Sequence, residues 1–198
     1  MIDVDLILKL QKQNIVNWHK ELVISQHEAP LLFVEENNQY NFLLWHEEDV
    51  ARIKDIDPVR IVEAKRSIDK FNQLRNNAIE KIDEWILSFL AHRQIKSGNN
   101  LHSETPGMMI DRLSIMSLKR YHMFEETKRP EASDAHKILC ANKVLVLNEQ
   151  MEDLANCLRQ ILIKLQSGEL NFKVYRQFKM YNDPALNPQL YGRLQQQL

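Results

Sequence analysis

Glycine is almost missing from this chain, and that scarcity constrains the fold more than any other feature. Four glycines, Gly98, Gly107, Gly168 and Gly192, stand in 198 residues, against about 7% in an average protein. The closest two, Gly98 and Gly107, are nine positions apart. A P-loop or a Rossmann fingerprint needs clustered glycines, because the backbone must approach phosphate closely. Both motifs are excluded. A β-sandwich or barrel is disfavoured for a related reason, since its many turns consume glycine. Long uninterrupted segments remain, and these read as helices.

Proline and helix caps set the limits of those segments. A first helix is expected from about Asp5 to Ser25, with Leu6, Leu10, Ile15, Trp18 and Leu22 as its apolar positions. Pro30 breaks the chain, and Leu31–Val34 reads as loop. A second helix is expected from about Asn38 to Lys54. Asp57 can cap a third, with Pro58 at its first position, where the missing N–H costs nothing. That helix runs to about Lys96 with an apolar stripe of Ile61, Ala64, Ile68, Phe71, Ala78, Ile82, Ile86 and Phe89. Thr105-Pro106 repeats the start signal for a fourth helix, apolar on most sides, to about Lys128. Pro130 is read as opening a fifth, to about Gln166, stopped by Gly168.

In this fifth helix Cys140, Val144, Leu147, Met151, Leu154, Leu158, Ile161 and Leu165 alternate by fours and threes. Such a heptad seam needs a helical partner, inside the bundle or across a homodimer. The expected architecture is all-α: an antiparallel bundle of about five main helices, two of them long. Residues 1–198 form one domain, and 172–198 make a short helix and tail packed on it. Each long helix should measure roughly 50–57 Å at 1.5 Å per residue.

The charges nearly cancel, with 26 Lys and Arg against 27 Asp and Glu. A general nucleic-acid binder would need a basic excess. No run reaches the roughly 18 apolar residues of a membrane span. The opening Met1-Ile2-Asp3-Val4-Asp5 lacks the basic start of a signal peptide. A soluble, cytoplasmic protein is expected. Cys140 and Cys157, roughly 25 Å apart along one helix, cannot pair within the chain.

Polar residues in unexpected places carry the chemical signal. On the third helix Lys65, Asp69, Asn72, Asn76, Glu80 and Asp83 fall within about 80° of one another, in a stripe roughly six turns long. This stripe is either a solvated face or one wall of a polar cleft. Arg75 falls within the apolar stripe, and Asp111, Arg112, Lys119 and His122 interrupt the apolar fourth helix. An unpaired buried charge is costly, so Arg75 is expected to meet Asp111. The second helix adds Trp45, His46, Glu48, Asp49 and Arg52 to the cleft. Glu47, Glu48, Glu80 and Asp83 are the candidate metal ligands, for Mg²⁺, because oxygen-rich clusters suit that ion. Glu47-Glu48 followed by Glu80-x-x-Asp83 is similar to the all-α nucleoside-triphosphate pyrophosphohydrolases. Ala51 stands where that pattern needs a third acid. The di-iron Glu-x-x-His pair is absent, as are His-Glu-x-x-His and Cys-x-x-Cys.

Five stretches together carry a wider resemblance: Leu44-Trp45-His46-Glu47-Glu48-Asp49-Val50-Ala51-Arg52, Lys65-Arg66-Ser67-Ile68-Asp69, Asn72-Gln73-Leu74-Arg75-Asn76, Ile79-Glu80-Lys81-Ile82-Asp83, and Glu104-Thr105-Pro106-Gly107-Met108-Met109-Ile110-Asp111-Arg112-Leu113-Ser114. The chain resembles a bacterial domain family of unknown function over nearly its whole length. The resemblance implies an all-helical fold and gene neighbourhoods of glycosyltransferases for lipopolysaccharide and other cell-surface glycans. It carries no catalytic residues across. Two readings of function stand. One is an accessory protein that binds a glycosyltransferase, another glycan-assembly protein or a small polar ligand. The other is a Mg²⁺-dependent, phosphohydrolase-like enzyme acting on a nucleotide or sugar nucleotide. The second requires the acids of two helices to converge in one pocket.

Overall fold

The computed structural model describes residues 1–23, 27–177 and 183–195. The described residues form six helices: α1 (Val4–Trp18), α2 (Leu31–Val50), α3 (Pro58–His92), α4 (Pro106–Glu126), α5 (Asp134–Gln166) and α6 (Pro188–Gln195). Two short strands, β1 (Asn100–Leu101) and β2 (Leu170–Asn171), pair in parallel and tie the loop after α3 to the segment after α5. The fold is all-α. With 35 and 33 residues, α3 and α5 are each roughly 50 Å long. No helix is long and apolar enough to cross a membrane among the described residues.

The helix starts obey local chemistry. Asp57 accepts from the Val59 N–H, with Pro58 in the first turn. Thr105 accepts from the Met108 N–H ahead of Pro106. Gly168 holds φ at +74° just past the end of α5, a conformation that costs other residues a steric clash.

Five boundaries differ from the sequence expectation, one of them the end of α3, which stops at His92, four residues short of Lys96. Leu31–Val34 is helix, not loop: Pro30 stands immediately ahead of the first turn, so it opens α2 rather than breaking the chain. That extension carries Val34 fully into the core. At its other end α2 stops at Val50, four residues short of Lys54. Pro130 does not open α5; Ser133 does, its hydroxyl accepting from the His136 N–H. The first helix ends at Trp18, whose indole N–H donates to the Val23 carbonyl beyond it; Ser25 lies outside the described residues. Its buried face also differs. Val4, Ile7, Gln11, Asn14, Ile15 and Trp18 point inward, while Leu6 and Leu22 are exposed.

The main core packs Ile7, Ile82, Ile86, Met109, Ile110, Leu113, Leu158 and Leu162, drawn from α1, α3, α4 and α5. A smaller cluster of Ile15, Trp18, Phe42 and Leu118 closes the other end. In the heptad seam Cys140, Val144, Leu154, Leu158, Ile161 and Leu165 are buried within the chain, and Leu147 and Met151 are half-buried. Phe172 fills the end of the core, Tyr175 is exposed, and Phe178 and Tyr181 lie outside the described residues.

Truncating Leu154 to alanine should cost about 2–5 kcal/mol, from lost transfer energy and the cavity left behind. Equilibrium unfolding in denaturant measures this. A loss under about 0.5 kcal/mol would place Leu154 outside the core.

Candidate functional site

The polar stripe of α3 divides into three parts. At its start Lys65 and Asp69 pair with each other on the surface. In the middle Asn72 and Arg75 line a cleft of about 420 Å³ between α2, α3 and α4, together with Asn41, Trp45, Glu48, Asp49 and Arg52. Further along, Asn76, Glu80 and Asp83 leave the cleft and hold other parts of the chain. Asn76 donates to the Gln177 side chain at 2.8 Å. Glu80 pairs with Arg176 at 2.8 Å.

Asp83 supports the start of α4. One carboxylate oxygen accepts from the Gly107 N–H at 2.7 Å, and the other accepts from the Thr105 hydroxyl. Those donors belong to the first turn of α4, where N–H groups lack partners within the helix. The approach is so close that a Cβ on Gly107 would stand 2.6 Å from the Ile79 carbonyl oxygen. Glycine is therefore required at position 107.

The floor of the cleft is a buried polar layer. The Asn37 and Asn41 amides both donate to Asp111 Oδ1, at 2.8 and 2.9 Å. Asn38 and Asn41 donate to the Ser114 hydroxyl at 2.9 and 3.1 Å. Arg75 Nε stands 3.9 Å from the same Asp111 oxygen. The two residues misplaced by periodicity therefore meet across the α3–α4 interface, as a charge contact rather than a hydrogen bond. Arg75 Nε is buried and lacks a hydrogen-bond partner. The remaining sequence candidate, Arg112, pairs with Glu104 at 2.6 Å, away from the cleft.

The four Mg²⁺ candidates do not converge. Glu47 pairs with Arg60, Glu48 with Arg52, and Glu80 with Arg176, while Asp83 caps α4. Among the described residues, the one group of three or more possible metal ligands is His19, His46 and His122. His46 and His122 were each singled out in the sequence, on separate helices, but His19, at the C-cap of α1, was not, and no local spacing announced that the three would meet. Burial holds His46 below the usual histidine range, with a contribution from His19. Burial, followed by His19 and His46, lowers His122 to about 4. Asp49 opposes both shifts. Trp45 stacks on the His122 ring at 4.8 Å and 7°. It also borders a second cleft of about 570 Å³ with Asp49, Lys119 and His122.

Sequence reasoning missed the Asn37, Asn38 and Asn41 layer. Its one signal was the spacing, which places all three on adjoining positions of a helix opposite Asp111 and Ser114.

The fold and site define an all-α helical bundle with a buried amide layer beneath an arginine-lined cleft. The chain belongs to a family of proteins of unknown function, DUF4254, whose profile matches residues 32–174. That span contains the cleft, the amide layer, His46 and His122, while His19 precedes it. No curated protein and no solved structure matches the chain.

Three variants test these assignments. Burial is the largest influence on Asp83 and raises it to about 6 from 3.8, against the two hydrogen bonds that lower it. Between those values the native state binds the extra proton. Stability contributed here therefore falls as pH rises from about 4 to about 6 and is lowest above 6. The change should reach about 3 kcal/mol. Denaturant unfolding of wild type and Asp83→Asn across this range should show the wild type alone carrying that slope; an equal slope in both would refute it.

Asp111→Ala strands two buried amides and Arg75 and should cost about 3–5 kcal/mol. Asp111→Asn keeps an acceptor oxygen in place and should cost only about 1–2 kcal/mol. Equal losses by the two variants in equilibrium unfolding would show that this oxygen does not organise the layer.

Proposed function

We propose that this chain is a binding protein for a small polar ligand rich in hydroxyl or phosphate groups, a sugar or sugar nucleotide, held in the α2–α3–α4 cleft. It acts beside a glycosyltransferase or another assembly protein of bacterial cell-surface glycans, in the cytoplasm. Arg75 carries the reading. Its guanidinium lines the cleft with Nε buried and unbonded, and a buried donor without a partner is costly. A ligand oxygen would satisfy it with a charge-assisted bond. The surrounding groups suit the same chemistry: Asn72 offers an amide, Asp49 accepts from hydroxyls, and Trp45 adds an aromatic wall. Binding is favoured over Mg²⁺ chemistry because Glu47, Glu48, Glu80 and Asp83 are each engaged elsewhere. The surface-glycan setting comes from the sequence resemblance alone.

The test is thermal unfolding and titration calorimetry with a panel of monosaccharides, nucleotides and nucleoside-diphosphate sugars. One class should bind saturably and raise the unfolding midpoint, by about 2.7 kcal/mol of stabilisation at a hundred times Kd. Arg75→Met should weaken that binding about 10- to 100-fold while the helical circular dichroism persists. No binding by any member of the panel, or full binding by the variant, would overturn the proposal.

A further inference from the structure

His19 lies at the C-terminal cap of α1, His46 on α2 and His122 on α4. These three elements are distant in sequence, and their rings gather with centroids 5.1–5.7 Å apart. One nitrogen from each ring lies within 4.8 Å of the others. His46 Nε2 and His122 Nε2 are buried and have no hydrogen-bond partner. Stacking of His19 on Tyr121 and of His122 on Trp45 orients the rings, yet it satisfies neither nitrogen. Two orphaned ring nitrogens on rings of one cluster cost free energy unless something binds them.

We propose that His19, His46 and His122 form a three-histidine site for one divalent transition-metal ion, zinc by its ligand chemistry, with a fourth position left for water or another oxygen ligand. Imidazole nitrogen suits zinc, copper, nickel and iron, and it does not suit Mg²⁺ or Ca²⁺, which take oxygen. Three protein ligands with an open fourth position are the arrangement of zinc sites that keep an exchangeable ligand.

The surroundings fit the ion. His19 Nδ1 lies 2.7 Å from the Ile15 carbonyl oxygen, so it carries the proton that donates there and leaves Nε2 with its lone pair. An N–H to a backbone carbonyl is how metal-binding histidines are commonly held. Neutral imidazole is the metal-binding form of histidine. The C-terminal end of α1 turns its partial negative charge toward the site. Asp49 adds a carboxylate whose charge acts on both His46 and His122. Zinc–nitrogen bonds of about 2.0–2.1 Å place tetrahedral ligand atoms roughly 3.3 Å apart. The rings must therefore draw together by roughly 1.5 Å, a movement shared among three side chains, of which His19 is exposed.

This site is separate from the sugar cleft and its test does not depend on any sugar binding. The full chain is stripped with chelator, dialysed against Zn²⁺, Ni²⁺, Co²⁺ and Mg²⁺ in turn, and assayed for bound metal. One equivalent of Zn²⁺ should be retained, and no Mg²⁺. His46→Gln and His122→Gln should each weaken Zn²⁺ at least 10-fold, and the metal-free variants should unfold at the wild-type midpoint within a few degrees. Co²⁺ should give the visible bands of a four-coordinate nitrogen–oxygen site, lost in either variant. The proposal fails if wild type retains less than half an equivalent of Zn²⁺. It also fails if both variants bind as tightly as wild type. If a variant does not fold, His19→Gln at the exposed edge of the cluster provides the same comparison.

Discussion

The bundle depends on a layer of amides and hydroxyls buried between α2 and α4. Asn37 and Asn38 are fully buried and Asp111 is 8% exposed, so the amide donors of the layer must find acceptors inside the protein. Those of Asn37, Asn38 and Asn41 do, while Asn38 Oδ1 has no partner. Apolar side chains can slide past one another at modest cost; a hydrogen-bonded set cannot, because a shift of one turn strands several donors at once. Asn37 and Asn41 converge on a single oxygen of Asp111, and Ser114 takes the neighbouring donors. That arrangement fixes how far along α4 the helix α2 sits. With the register set, Arg75 of α3 comes to stand over Asp111 and the cleft acquires its charge.

A second clamp acts at the very start of α4, one turn before the amide layer. Asp83 reaches from the middle of α3 to the first-turn amide and hydroxyl donors of α4, across a contact that only glycine at 107 allows. Burial makes this carboxylate expensive to ionise, and its donors offset part of that cost. The arrangement gives α4 a fixed starting point against α3. The amide layer gives it a fixed position against α2. Between the two clamps, the angles and offsets that shape the cleft are largely determined. The C-terminal segment adds to this by placing Arg176 and Gln177 against Glu80 and Asn76.

Local chemistry was legible in the sequence, and chemistry assembled across helices mostly was not. The starts of α3 and α4 were readable because Asp57-Pro58 and Thr105-Pro106 act within a few residues of themselves. The start of α2 was misread because a proline marks either end of a helix, and four apolar residues after it carry no period. The buried face of α1 was misread because Gln11 and Asn14 look like solvent positions until Ile110 is seen accepting from Gln11. Arg75 and Asp111 were legible as a pair because each violates an apolar stripe, and a buried charge demands its opposite. Asn37, Asn38 and Asn41 violated nothing, since asparagine on a helix surface is ordinary. The stripe of α3 was correctly seen as polar, but three different neighbours divide it, and none of them is visible from α3 alone.

Trp45 joins the two sites. It lines the cleft that contains Arg75 and stacks on His122, and Asp49, one turn further along α2, borders the clefts on both sides. An ion drawn among the three imidazoles would move the His122 ring, and the indole resting on it would have to follow or lose its stacking. Any ligand touching Trp45 from the cleft would then meet a different wall in the metal-loaded and metal-free protein. Linkage makes such an effect mutual: if the ion changes ligand affinity by some factor, the ligand changes ion affinity by the same factor. Were both proposed sites occupied, the side chain between them would be a rigid aromatic, not a flexible loop. A substitution that preserves a flat ring at position 45 should preserve the coupling, whereas one that removes the ring should leave two sites that bind independently.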